Sequence, residues 1–173
     1  MEHSPETNAS DNQIATLFLD FSCVKLEQMS QHLAACLAKL TDAQIWQRGG
    51  PHENAIGNLI LHLCGNMRQW ILHGVGGLPD VRIRDLEFST TAGLTGAELM
   101  ELFRSTTAEA TAVIAATTQA HLLDRITPQG REVSVLDAIY QVVGHVQQHV
   151  GQIILLTKQM TAQDLDLTIP RPR

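Results

Sequence analysis

His145 and His149 stand four residues apart in a strongly apolar stretch, a spacing that could do chemistry. On a helix, positions i and i+4 share a face, so two imidazoles can point at one ion. Val142, Val143, Val146 and Val150 flank the pair on one side, and residues 153–156 on the other. Burying two unpartnered imidazoles there would cost several kcal/mol. With eight histidines in 173 residues the spacing also arises by chance. The surroundings therefore carry the argument. Gln141, Gln148 and Gln152 make that side of the helix polar but uncharged, and a second segment matches it with Asn58, His62 and Asn66 at i, i+4 and i+8. One inward polar stripe opposite another suggests a shared site in a bundle interior, where bundles build metal centres. His62, His145 and His149 then form a ligand set. Three neutral imidazoles suit zinc, nickel, iron or copper, with positions left open for water or substrate. Asn58, Asn66, Gln148 and Gln152 are the candidates to orient ligands or substrate around it. Cys64 follows His62 by about 200° around the helix and should face elsewhere. The alternative is that the three histidines hydrogen-bond inside the core without a metal, and the residues alone leave both open.

The elements that must position these residues are unusually well marked. Ser10 with Gln13, Thr41 with Gln44, Thr95 with Glu98, and Ser134 with Asp137 each read as a helix-starting box, polar side chain and backbone satisfying each other reciprocally. Four long helices are predicted, over residues 11–39, 54–73, 95–120 and 134–160, with a short turn of helix through Trp46. In the first, Ile14, Leu17, Phe18, Phe21, Val24, Met29, Leu33 and Cys36 largely follow helical spacing and read as its core face. Residues 74–94 form a long connection carrying Arg82, Arg84, Asp85 and Glu87; connections of that length often cross a bundle or cover a site. Pro128-Gln129-Gly130 reads as the turn of a small hairpin. The predicted fold is all-α: a four-helix bundle with at least one long crossover, over residues 11–160, between a disordered tail (1–10) and an irregular one (161–173).

Composition narrows the function. The net charge is −6, and the only basic cluster is a short tail at Arg171 and Arg173, so nucleic acid is disfavoured as a partner. Residues 55–75 are the most apolar segment, but His62, Asn66, Arg68 and Gln69 interrupt it, which argues against a membrane span. The first ten residues carry no apolar stretch, so no secretory signal is expected. Three cysteines are too few for a disulfide framework, and Cys23 and Cys36 would stand roughly 20 Å apart on one helix; a cytoplasmic protein fits. No buried carboxylate is recognisable as a general base: Asp137 and Glu98 read as caps, while Asp20 and Glu27 are unplaced.

The segment from Asn54 to Trp70, NAIGNLILHLCGNMRQW, resembles the second helix of DinB-like proteins, and the segment from His145 to Ile153, HVQQHVGQI, resembles their last. The resemblance covers nearly the whole chain to about Lys158 and is nearest to an uncharacterised bacterial subgroup. It implies a four-helix bundle with long crossovers, often a homodimer, and a three-histidine metal site on His62, His145 and His149. Some relatives are metal-dependent transferases using low-molecular-weight thiols such as mycothiol, bacillithiol or glutathione. Several carry a basic residue after the second histidine of the pair, where this chain has Val150. The expectation is metal-assisted chemistry on a small molecule, thiol transfer ahead of hydrolysis. The alternative is a non-catalytic metal- or ligand-binding dimeric bundle.

Overall fold

Helix-start signals place most of the elements. The computed structural model describes residues 5–167. Its helices are α1 (Pro5–Leu37), α2 (Asp42–Ile45), α3 (Ile56–Met67), α4 (Arg84–Ser89), α5 (Gly96–Ala115), α6 (Gln119–Leu122) and α7 (Val135–Thr161). Thr41, Thr95 and Ser134 begin α2, α5 and α7 with both halves of the reciprocal box formed. Ser10 differs: α1 starts at Pro5, so Ser10 lies inside the helix rather than at its cap. Of the expected tails, 1–10 and 161–173, residues 1–4 and 168–173 lie outside the described residues.

Beyond Met67 the helix continues as wider π-type turns over Arg68–Val75, where the Gly76 N–H donates to the Ile71 carbonyl at 2.8 Å. The helix thus ends slightly later than expected. The third long helix ends earlier, at Ala115, because Thr118 caps the separate turn α6. Two short antiparallel strands, β1 (Arg125–Ile126) and β2 (Val133–Ser134), form the expected hairpin, with Arg125 opposite Ser134. Gln129 and Gly130 take left-handed φ values of 53° and 70° to turn it.

The long helices α1, α3, α5 and α7 form the bundle. Each of α1 and α3 packs against both α5 and α7, so α1 and α3 stand diagonally. The two diagonal crossings are therefore residues 38–55 and 116–134. The 76–95 connection joins neighbours, contains the unforeseen helix α4, and lies along α3. The core is aliphatic, with Leu26, Leu33, Ile60, Leu63, Leu99, Ile114, Ile139 and Ile153 fully buried around Phe103.

One helix face differs from its sequence reading. Ile14, Leu17, Phe21 and Val24 point outward and are 59–69% exposed, while Ala15, Leu19, Ser22 and Leu26 face the core. The two sets interleave at helical spacing, so α1 carries two apolar stripes in its first half, and periodicity alone cannot tell which faces inward. No described helix is long and apolar enough to cross a membrane.

Candidate metal centre

α3 and α7 bring His62, His145 and His149 together as the spacing predicts. One ring nitrogen from each lies within 4.8 Å of the others. His62 Nε2 and His145 Nε2 are 2.9 Å apart. The rings meet edge to face, with centroids 5.0 Å apart for His62–His145, 5.3 Å for His62–His149 and 4.4 Å for His145–His149. Nitrogens bound to one ion at about 2.0–2.1 Å stand roughly 2.9–3.4 Å apart, so the first pair already matches and small side-chain rotations bring in the third. Close approach of lone pairs in a buried place is unfavourable without a cation or proton between them, and the donor set is the one transition metals prefer.

The tautomers fit that reading. His62 Nδ1 lies 2.9 Å from Glu87 Oε2 and 3.2 Å from Arg82 Nη2. Nη2 already donates to Glu87 Oε2 at 2.8 Å and a carboxylate only accepts, so the shorter contact places the proton on Nδ1 and leaves the Nε2 lone pair for the trio. His149 Nδ1 likewise donates to Gln152 Oε1 at 2.6 Å, freeing its Nε2. Burial, followed by the neighbouring His149 and His62 rings and Arg82, holds the His145 imidazole down to about pKa 4. Burial also lowers His149, against the opposing pull of Gln152. Unprotonated rings are what a metal needs.

Glu87 is the residue sequence reasoning missed. It sits on α4 in the connection, buried, and Arg82 grips it bidentately: Nε to Oε1 at 2.6 Å and Nη2 to Oε2 at 2.8 Å. Side-chain exposure is 2% for Arg82 and 8% for Glu87. Burial alone would raise the carboxyl pKa, but the hydrogen bonds from Arg82 and His62 outweigh it and hold Glu87 ionised. Arg82 Nη1 also donates to Gln69 Oε1 at 2.9 Å, tying the connection to the π-type turns. Carboxylate, imidazole and candidate ion thus line up in the arrangement that fixes ring orientation and raises ligand basicity. The carboxylate is occupied on both sides, so it orients the site and is no free general base. The available signal was the pairing of Arg82 and Glu87 in a connection long enough to cover a site.

The four predicted orienting residues divide. Gln152 touches His149 as described. Asn58 is fully buried but serves the connection: its Nδ2 donates to the Glu87 and Thr90 carbonyls at 2.9 and 2.6 Å, and its Oδ1 accepts from Arg48 Nη2 and the Ala55 N–H. It holds Glu87 in place through the backbone. Asn66 is buried, and its Oδ1 has no hydrogen-bond partner. Gln148 is exposed and makes no hydrogen bond to the trio. Phe88, beside Glu87, covers the site with its ring centroid 4.9 Å from that of His62. Cys64 faces elsewhere, as expected, and burial pushes its thiol up to about 12, so it offers no thiolate.

Gly65 explains how the connection comes so close. A Cβ there would fall on Glu87 Oε1, with Glu87 Cδ at 2.8 Å and Arg82 Nε at 3.0 Å. The bare backbone of α3 is the surface on which the ion pair rests.

No functionally curated protein matches the chain. Among solved structures it is similar to a DinB-like protein from Bacillus cereus ATCC 10987, 19% identical, TM-score 0.65, over 83% of this chain and 90% of that one. It is similar to a conserved protein from Enterococcus faecalis at 14% identity, TM-score 0.69, over 83% and 97% of the two chains. A DinB-like protein from Bacillus subtilis matches at 12% identity, TM-score 0.63, over 83% and 94%. These likenesses are of fold, and the fold is DinB-like. Residues 13–173 match the sequence profile of DUF1572, a protein family of unknown function, and the chain belongs to that family.

Proposed function

We propose that the protein is a metal-dependent enzyme acting on a small molecule, with transfer to or from a low-molecular-weight thiol ahead of hydrolysis. The observation that carries this reading is the trio itself: His62 and His149 have their Nδ1 atoms against Glu87 and Gln152, and one ring nitrogen of each of the three histidines lies within 4.8 Å of the others. His62, His145 and His149 would hold a divalent zinc, nickel or iron ion. Such an ion would supply Lewis acidity, lowering the pKa of a thiol or water bound to it. Among the described residues no fourth His, Cys, Asp or Glu joins the group. A three-ligand site with open positions is the catalytic pattern, whereas structural zinc sites close with four. The Arg82 charge offsets that of Glu87, so the neutral imidazoles leave a bound cation's charge available to an anionic substrate atom.

A second reading is a non-catalytic, metal- or ligand-binding homodimer, and the outward stripe of α1 favours the dimeric part of it. Ile14, Leu17 and Phe21 surround an apolar depression together with Phe18, Tyr140 and Val143. A stripe of this kind on a free surface is a candidate for a self-complementary interface. A cytoplasmic location agrees with three free cysteines.

The test is metal analysis of protein purified without a histidine tag, followed by a screen of electrophile conjugation with mycothiol, bacillithiol and glutathione. Stoichiometric metal and turnover with one thiol would support the enzyme. Metal without turnover in either thiol transfer or hydrolysis moves the assignment to the binding protein. Lack of metal after reconstitution rejects both metal readings.

A further inference from the structure

About a third of a turn around α3 from His62, the face formed by Leu61, Cys64, Gly65 and Arg68 borders a second cavity. It measures about 390 Å³ and lies between α3, α5 and the 76–95 connection. That size falls in the range of small-molecule sites. Leu61, Leu94 and Leu102 give it an aliphatic wall. Val81, Ile83 and Leu86 form its lip, and all three are more than half exposed. A connection otherwise rich in charge thus spends three large apolar side chains on the edge of a groove.

Two guanidinium groups border this space. Arg82 is committed to Glu87 and Gln69. Arg68 makes no hydrogen bond or ion pair to any described residue, and its Nε is buried without a partner. Glu87 lines the cavity too, but its carboxylate is held by Arg82 and His62, and the other acidic groups near Arg68 do not compensate. Asp80 and Glu109 share a neighbouring cleft with Arg68. Asp80, however, accepts from Gln69 Nε2 and the Arg82 N–H, and Glu109 is exposed and unpaired with Arg68. Taking a guanidinium N–H out of water without an acceptor is costly, and an incoming anion would remove that cost.

We propose that this cavity is a ligand site for a small amphipathic monocarboxylate. Its hydrocarbon body lies against Leu61, Leu94 and Leu102, and its two carboxylate oxygens take the planar Arg68 fork. A single unpaired guanidinium matches one carboxylate charge, whereas a phosphate monoester would bring about −1.5 to −2 charges into an apolar cleft with one free cation. None of the three histidines lines this cavity; Arg82 and Glu87 stand between the two places, and the ligand site needs no bound metal.

The experiment is methyl NMR on the full chain, titrated with octanoate and, as neutral counterpart, octan-1-ol. Octanoate is expected to give saturable shifts at the methyls of Leu61, Leu86, Leu94 and Leu102. Arg68→Gln should weaken octanoate at least about tenfold while leaving octan-1-ol unchanged. Should Arg68→Gln fail to fold, Leu86→Glu decides, because it places a negative charge at an exposed lip position and should weaken octanoate but not the alcohol. Shifts that never saturate, shifts centred on Ile14 and Leu17, or equal octanoate affinity in the wild type and the charge variants would overturn the proposal.

Discussion

Gly65→Ala separates a helix effect from a site effect with opposite signs. Gly65 is helical, outside the set of positive-φ residues, so alanine adopts its backbone without strain. In an ordinary helix interior this substitution would stabilise by roughly 0.8–1.0 kcal/mol. Here the new methyl would collide with Glu87 Oε1, with Glu87 Cδ at 2.8 Å and Arg82 Nε at 3.0 Å. The carboxylate cannot step aside while keeping both Arg82 bonds and the 2.9 Å contact to His62. Breaking a buried ion pair by removing one partner costs about 3–5 kcal/mol. Displacement without removal lets water relieve part of that, so after subtracting the helix gain we expect net destabilisation of about 1–3 kcal/mol. Loss of the carboxylate behind His62 should also weaken metal binding about 10–100-fold. Urea unfolding with an unchanged m-value reads the first effect, and competition against a metal-binding dye reads the second. A Gly65→Ala protein that is more stable than wild type and binds metal equally well would refute the packing of Glu87 against α3.

The remaining predictions concern the same site, the fold around it and the outer face of α1. Glu87→Gln keeps the shape but removes the charge, and should lower metal affinity about 10–100-fold, measured by the same competition. His149→Ala should abolish stoichiometric metal while leaving the helical circular dichroism signal in place. In the metal-free protein, His145 titrates near 4 against about 6.5 when unfolded, so the unfolded chain takes up its proton first as pH falls. Its effect on stability is therefore absent above pH 6.5 and grows more unfavourable down to about pH 4, and denaturation midpoints should fall over that window. His145→Ala should flatten this part of the profile. Phe21→Glu tests the proposed homodimer: light scattering should give a dimer for the wild type and a monomer for the variant, without loss of helix, and an unchanged mass would remove the α1 stripe as an interface.

The bundle was legible because its information is local. Thr41, Thr95 and Ser134 each start a helix with a partner three residues on, and such pairs act within one turn whatever the rest of the chain does. Where the local rule failed, at Ser10, α1 already begins at Pro5, a residue suited to a first helical position, and runs past a residue that reads as a cap. The burial of α1 was half legible for a related reason. Two interleaved apolar stripes both satisfy helical spacing, and only packing against α5 and α7 chooses between them.

The trio was legible by the same spacing rule applied twice, but its support was not. Glu87 reaches His62 across 25 residues of sequence, and Asn58 reaches the Glu87 and Thr90 carbonyls across 29 and 32. No periodicity encodes such contacts. Topology gives them a physical reason afterwards. Because α3 and α5 are neighbours, a helix–helix connection of about 2–8 residues would join them. The 76–95 connection is far longer than the join requires, and its excess holds α4, Arg82, Glu87 and Phe88, the residues that close over the His62 side of the trio. The diagonal crossings, which do need length, contribute less: Arg48, from the first of them, only grips Asn58 and the Phe88 carbonyl. Length beyond topological need is the feature that marks this connection as part of the site. Shortening it to a minimal turn should leave a folded bundle whose histidines still converge but no longer hold a metal tightly; metal affinity equal to that of the intact chain would show that the connection is only a cover.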